Sequence, residues 1–149
     1  MLVLLALTLA GLLINLLLQL AAIGAGVRVT RPTWNGTLGM TREIVLLGVV
    51  VSFLFLGHLL QIAVWAILFR LGGQFADWGT AFYHSTVNYA SLGYGDIVMD
   101  EPWRLVGAIE ASVGVMMFGV STATIFAAMS KMFRQHSGRG GAGNPQDGS

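Results

Sequence analysis

Three runs of 26 residues constrain this chain more than any other feature. Leu2 to Val27 and Ile44 to Phe69 contain no Lys, Arg, Asp or Glu, and Leu105 to Ser130 contains only Glu110. At about 1.5 Å rise per residue, a helix of that length reaches roughly 39 Å, more than the ~30 Å hydrocarbon core of a bilayer. The runs therefore predict three transmembrane helices, tilted or with emergent ends. Only 10% of the residues are charged, against about 25% in a soluble domain. The formal net charge of +1 gives no basic field for nucleic acid, and the absence of cysteine excludes disulfides and thiolate metal sites. Nothing in the chain has the pattern of a nucleotide loop, a zinc site or a nucleophile with its base, so no enzyme is expected. The first run reads as a retained helix and not a signal peptide, because its flanking charge, Arg28, follows the apolar stretch.

The few charges set an orientation. Arg28, Arg31 and Arg42 lie between the first two runs, and Lys131, Arg134 and Arg139 follow the third. The positive-inside tendency assigns these six to the cytoplasm and leaves the N-terminus outside. The segment between the second and third runs collects Asp77, Asp96, Asp100 and Glu101, as an outer segment would. The expected organisation is an N-terminal helix at 1–27, a cytoplasmic loop at 28–43 and a unit at 44–134 that holds the other two runs. A flexible tail rich in Gly, Ser, Asn and Gln follows at 135–149. Asn35-Gly36-Thr37 matches a glycosylation sequon, but this topology puts it inside, where it reads as a plain turn.

The chemistry lies between Phe75 and Pro102, a segment too short and too polar to be a fourth span. Asp77 can cap a short helix by accepting from the Gly79 or Thr80 amide, with Trp78 to Tyr89 continuing it. Then follows Ser91-Leu92-Gly93-Tyr94-Gly95-Asp96. Irregular backbone at membrane depth is tolerated only where protein covers it or where it lines a water-filled path. The segment reads as re-entrant.

Over about 90 residues, from the second run to the end of the third, this pattern resembles the pore region of the potassium channel superfamily. The likeness is to its small prokaryotic members with two helices per pore, whose filter is commonly Thr-Val-Gly-Tyr-Gly-Asp between a pore helix and an inner helix. The resemblance implies an all-α membrane protein with an outer helix at 44–70, a pore helix at 77–89, a filter at 91–96 and an inner helix at 103–133. It implies K+ ions held by the carbonyls of Ser91, Leu92, Gly93 and Tyr94, with Gly93 and Gly95 permitting the backbone angles required. One chain supplies a quarter of such a ring, so a homotetramer in membrane lipid is implied, passing monovalent cations and binding no nucleic acid or organic cofactor. The implied setting is a prokaryotic inner membrane.

The filter departs from the usual pattern at three places: Ser91 stands for threonine, Leu92 for valine and Ala90 for a further threonine. These changes bear on the strength of K+ over Na+ selection, and a weakly selective cation channel is the alternative they suggest. A non-conducting membrane interaction subunit is the alternative from a different class. By the same resemblance, Tyr83 and His84 stand where relatives brace the filter tyrosine, so His84 would bond Tyr94 of its own or of a neighbouring subunit. Val87 stands where some relatives carry a glutamate that pairs with the filter aspartate, leaving Asp96 without that partner.

The remaining candidates lie within the spans. Glu110 is an intramembrane carboxylate, and such groups are functional candidates by default. It lies six residues below Arg104, roughly 9 Å in, whereas His58 is twelve residues from Arg70 and roughly 18 Å in, so the two are not expected to pair. Glu110 is expected behind the filter, bonded to pore-helix groups such as Asn88, with a cavity-lining charge as the alternative. His58, near Gln61 and Trp65, reads as a packing histidine, with a pH sensor as the alternative. Asn15 and Gln19, four apart, are expected to bond from the first helix to the second. Val115, Phe118, Thr122, Phe126 and Met129 form a helical stripe that the resemblance turns toward a cavity. The resemblance also implies a hinge at Gly114 and a hydrophobic constriction at Phe126, against the bland reading of Phe126 as packing between inner helices.

Overall fold

Backbone groups inside a bilayer must find their partners within the segment, which makes helices the outcome for the three apolar runs. The computed structural model describes residues 2–34 and 39–140. It contains α1 (Leu2–Trp34), α2 (Met40–Leu71), α3 (Trp78–Tyr89) and α4 (Trp103–Gly140), with no strand among the described residues. Three helices hold stretches long and apolar enough to span: Ala6–Thr30, Thr41–Leu71 and Trp103–Arg134. The protein is thus an all-α membrane protein with a short helix inserted between its second and third spans.

The long helices outrun the limits expected from charge. α1 continues past Val27 to Trp34, and α2 begins at Met40, so most of the loop expected at 28–43 is helical. α4 runs to Gly140, which takes residues 135–140 out of the expected tail. Charged residues mark where a helix leaves hydrocarbon, but its own hydrogen bonds let it continue into water. The sequon at 35–37 and residues 141–149 of the expected tail lie outside the described residues.

The main core lies where α2, α3 and α4 meet. Ile62, Trp65 and Phe69 of α2 pack with Tyr89 of α3, Met99 of the following loop, and Val106, Val113 and Met117 of α4. A smaller cluster joins Val50 and Leu54 to Met132 near the other end. α1 docks on α2 through small residues: a Cβ at Gly57 would come within 2.8 Å of the Ala22 methyl, and one at Gly11 within 3.2 Å of the Trp65 ring. Such residues let helices approach closely in lipid, where apolar burial alone gives little drive to associate. Leu9, Leu13, Leu17 and Leu20 of α1 stay exposed, as a lipid-facing surface requires.

Candidate functional site

The short helix α3 begins as its sequence dictates. Asp77 is extended, at φ −122° and ψ 157°, and its Oδ1 accepts from the Thr80 amide at 2.8 Å. The Arg70 guanidinium lies 4.6 Å from the centre of the Trp78 ring, which ties the end of α2 to the start of α3. At its other end, the amides of Ser91 and Leu92 donate back to the carbonyls of Asn88 and Val87, at 2.8 and 2.9 Å. The chain then leaves the helix with positive φ at alternate residues: Ser91 at 55°, Gly93 at 62° and Gly95 at 70°. The two glycines take this region without penalty, whereas Ser91 is a residue type seldom found there. The glycine conformations were legible in the sequence. That of Ser91 was not, because serine carries no signal for it.

Segment 91–96 is exposed, and a brace holds its outer end. The Tyr83 hydroxyl donates to Asp96 Oδ2 at 2.6 Å, and the Ile97 amide donates to Oδ1 at 3.1 Å. The Tyr83 bond, followed by weaker backbone contributions, holds the Asp96 carboxyl below the ordinary carboxylate range. Asp96 thus has a partner in Tyr83, in place of the glutamate that Val87 replaces. His84 does not reach Tyr94 within the chain: its Nε2 lies 2.9 Å from the Asn88 side-chain nitrogen, and its ring packs on Phe75 at 4.9 Å. The i,i+4 spacing of His84 and Asn88 explains the difference, since it puts them on one face of α3. Beyond the brace, the Asp100 amide donates to Gln74 Oε1 at 3.0 Å, and Arg104 Nε donates to the Met99 carbonyl at 2.8 Å. A cavity of about 310 Å³, lined by His84, Asn88, Gly93, Gly95 and Gly107 among others, separates this segment from α4.

Glu110 lies where its depth predicts, fully buried behind α3. The Ser85 hydroxyl sits between Glu110 Oε1 and the Ile62 carbonyl, 3.0 Å away, so one serine joins three helices. The Asn88 side chain also interacts with this carboxyl. Glu110 Oε2 has no hydrogen-bond partner among the described residues. Ser85 was missed, because a serine on a short helix has no distinguishing pattern. One turn below Glu110, Gly114 carries the backbone of α3: a Cβ there would stand 2.0 Å from the Tyr89 carbonyl oxygen. α4 is continuous through this position, so close helix approach accounts for the glycine in this conformation.

At greater depth, residues from all four helices form a buried polar cluster. His58 Nδ1 is 3.0 Å from the Tyr89 hydroxyl and Nε2 is 2.9 Å from the Ser121 hydroxyl. The Tyr89 hydroxyl donates to Gln61 Oε1. Gln61 Nε2 donates to Gln19 Oε1, and Gln19 Nε2 to Ser121 Oγ, each at 2.8 Å. Gln19 therefore docks α1 on both α2 and α4. Asn15 does not: its amide donates to the Gly11 carbonyl of its own helix at 2.7 Å. Phe118 lies against the cluster, 4.7 Å from the His58 ring and 5.6 Å from that of Tyr89. Val115, Thr122, Phe126 and Met129 lie on exposed surface of α4, with Phe126 71% exposed. Tyr89 and Ser121 were missed, since each takes its partners from other helices.

Fold and site together define a membrane pore unit, in which two spans flank a re-entrant helix and an exposed backbone segment with alternating positive φ. The chain belongs to the ion channel family: a family model described as an ion channel matches residues 44–131, more than half of its length. This family consists of channels and not of enzymes. No curated protein and no solved structure matches the chain. The family match begins after α1 and ends within α4.

Proposed function

We propose that this ion channel selects K+, and that four copies surround a path lined by the carbonyls of Ser91, Leu92, Gly93 and Tyr94. The alternation of positive φ at 91, 93 and 95 with negative φ at Leu92 and Tyr94 carries this reading. Such alternation turns successive peptide groups the same way, so their oxygens can replace the hydration shell of one cation after another. The exposed surface of 91–96 suits a segment completed by neighbouring copies. K+ is here the permeant ion, and α3 directs its negative C-terminal end toward the path. The six basic residues in the last turns of α1 and α4 and the first turn of α2 favour a cytoplasmic C-terminus in a prokaryotic cell membrane. The exposed ring of Phe126 suits a hydrophobic constriction that closes by dewetting, with a bend of α4 near Gly114 opening it.

Purified protein in liposomes, with K+ on one side and Na+ on the other, tests the reading. A reversal potential near the K+ equilibrium potential is expected. Reversal near zero would instead support the weakly selective channel, which is favoured by Leu92 standing 53% exposed in the filter. Silence of an intact tetramer across several lipids and pH values would favour the non-conducting subunit. In the same assay, Phe126→Ala should raise open probability, and an unchanged value would contradict the constriction.

A further inference from the structure

The buried polar cluster is a closed ring. Its members are Gln19 of α1, Ser121 of α4, His58 and Gln61 of α2, and Tyr89 of α3, and each contact leads to the next. All five are no more than 7% exposed. With the two amides placed as they are, Gln19 donates to Ser121 and Gln61 donates to Gln19. Tyr89 gives its single hydroxyl proton to Gln61. The phenol oxygen must then accept, so His58 Nδ1 carries a proton. In the neutral ring Nε2 is left as an acceptor, and it takes the proton of Ser121. Every donor therefore points the same way around: Gln19, Ser121, His58, Tyr89, Gln61 and back to Gln19.

We propose that Gln19 is a positioning residue for the ion filter, closing this one-directional ring so that the two α2 residues that hold the Tyr89 phenol, His58 and Gln61, are themselves held by α4 and α1. The proposal rests on the filter reading given above. Tyr89 is the last residue of α3, two positions before Ser91, and its carbonyl lies against Gly114. Its phenol and its backbone are thus both held, and the first filter residue follows directly from that fixed point. Without Gln19, the Gln61 amide loses its acceptor and Ser121 loses its donor. Both groups then lie at membrane depth, where water cannot readily replace a lost partner. The ring gives α1, which lies outside the family match, a direct part in the pore.

The test compares Gln19→Leu with Asn15→Leu in the full-length protein. Both substitutions remove a buried amide from α1, but Asn15 bonds only within its own helix. Gln19→Leu is expected to raise Na+ permeability relative to K+ by at least about fivefold, the lower end of coupling between separated sites. Asn15→Leu is expected to leave the ratio unchanged. An equal shift in both variants, or an unchanged ratio in Gln19→Leu with an intact tetramer, would overturn the proposal. Should Gln19→Leu fail to assemble, ¹⁵N imidazole shifts of His58 in the wild-type protein decide the ring: a proton on Nδ1 supports it, and a proton on Nε2 overturns it. This second measurement needs no ion flow. A wild type that fails to select K+ would therefore remove the functional reading while the tautomer still reports on the ring.

Discussion

The re-entrant helix α3 is held at its two ends by different chemistry. Near the outer surface, Asp77 caps the helix and Tyr83 reaches Asp96, with both contacts exposed and both drawn from residues within 20 positions of one another. At the inner end, Ser85 and Tyr89 are fully buried and meet partners on α2 and α4, at separations of up to 31 residues. In water-exposed positions a lost hydrogen bond is readily replaced by solvent, whereas a buried polar group left alone carries its full desolvation cost. The inner end should therefore control whether the helices hold together, and the outer end should tune the exposed segment 91–96.

Gly114→Ala is the severest way to break the comparison. Its methyl would stand 2.0 Å from the Tyr89 carbonyl oxygen, a backbone atom that cannot swing aside. A loss of about 3 kcal/mol is expected, read as reduced thermal stability of the assembled protein. Retention of wild-type stability would show that α3 can separate from α4 without consequence. Glu110→Ala comes next. It removes the buried carboxyl that meets Ser85 and should cost about 2 kcal/mol by the same measure, with near-neutral behaviour contradicting a bracing role.

Tyr83→Phe has the smallest expected effect and sharpens the outer half of the comparison. The Asp96 carboxyl titrates below its ordinary range chiefly because Tyr83 donates to it. A depressed carboxyl contributes stability that is present above its unfolded pKa and lost as pH falls through the folded one. Removing the hydroxyl should raise the Asp96 titration toward the ordinary carboxylate value, followed by carboxyl ¹³C shifts, while assembly persists. An unmoved titration would show that the brace does not act on Asp96.

The same contrast explains what could be read from the sequence. The three spans follow from uncharged runs, and the α3 cap follows from Asp77 preceding small and apolar residues, because both signals are local. The place of Glu110 against α3 followed from its depth below Arg104. The Tyr83 partner of Asp96 was not legible although the two are 13 residues apart, because the bond depends on how the irregular segment after α3 turns back along that helix. Gln19 was legible as a docking residue, but the ring it closes was not. Its direction depends on Ser121 and Tyr89, whose roles exist only once four helices are packed. Helix ends were the least legible feature, because charge reports the bilayer edge and says little about where a helix stops.

In the function proposed above, the carbonyls of residues 91–94 face a shared axis and bind K+. Crystals of the full-length protein grown in Rb+ would test it directly through anomalous scattering. Successive anomalous peaks are expected on a fourfold axis, level with the carbonyl oxygens of Ser91 to Tyr94. An ordered filter segment with no peak on such an axis, or a segment lying away from any symmetry axis, would contradict it.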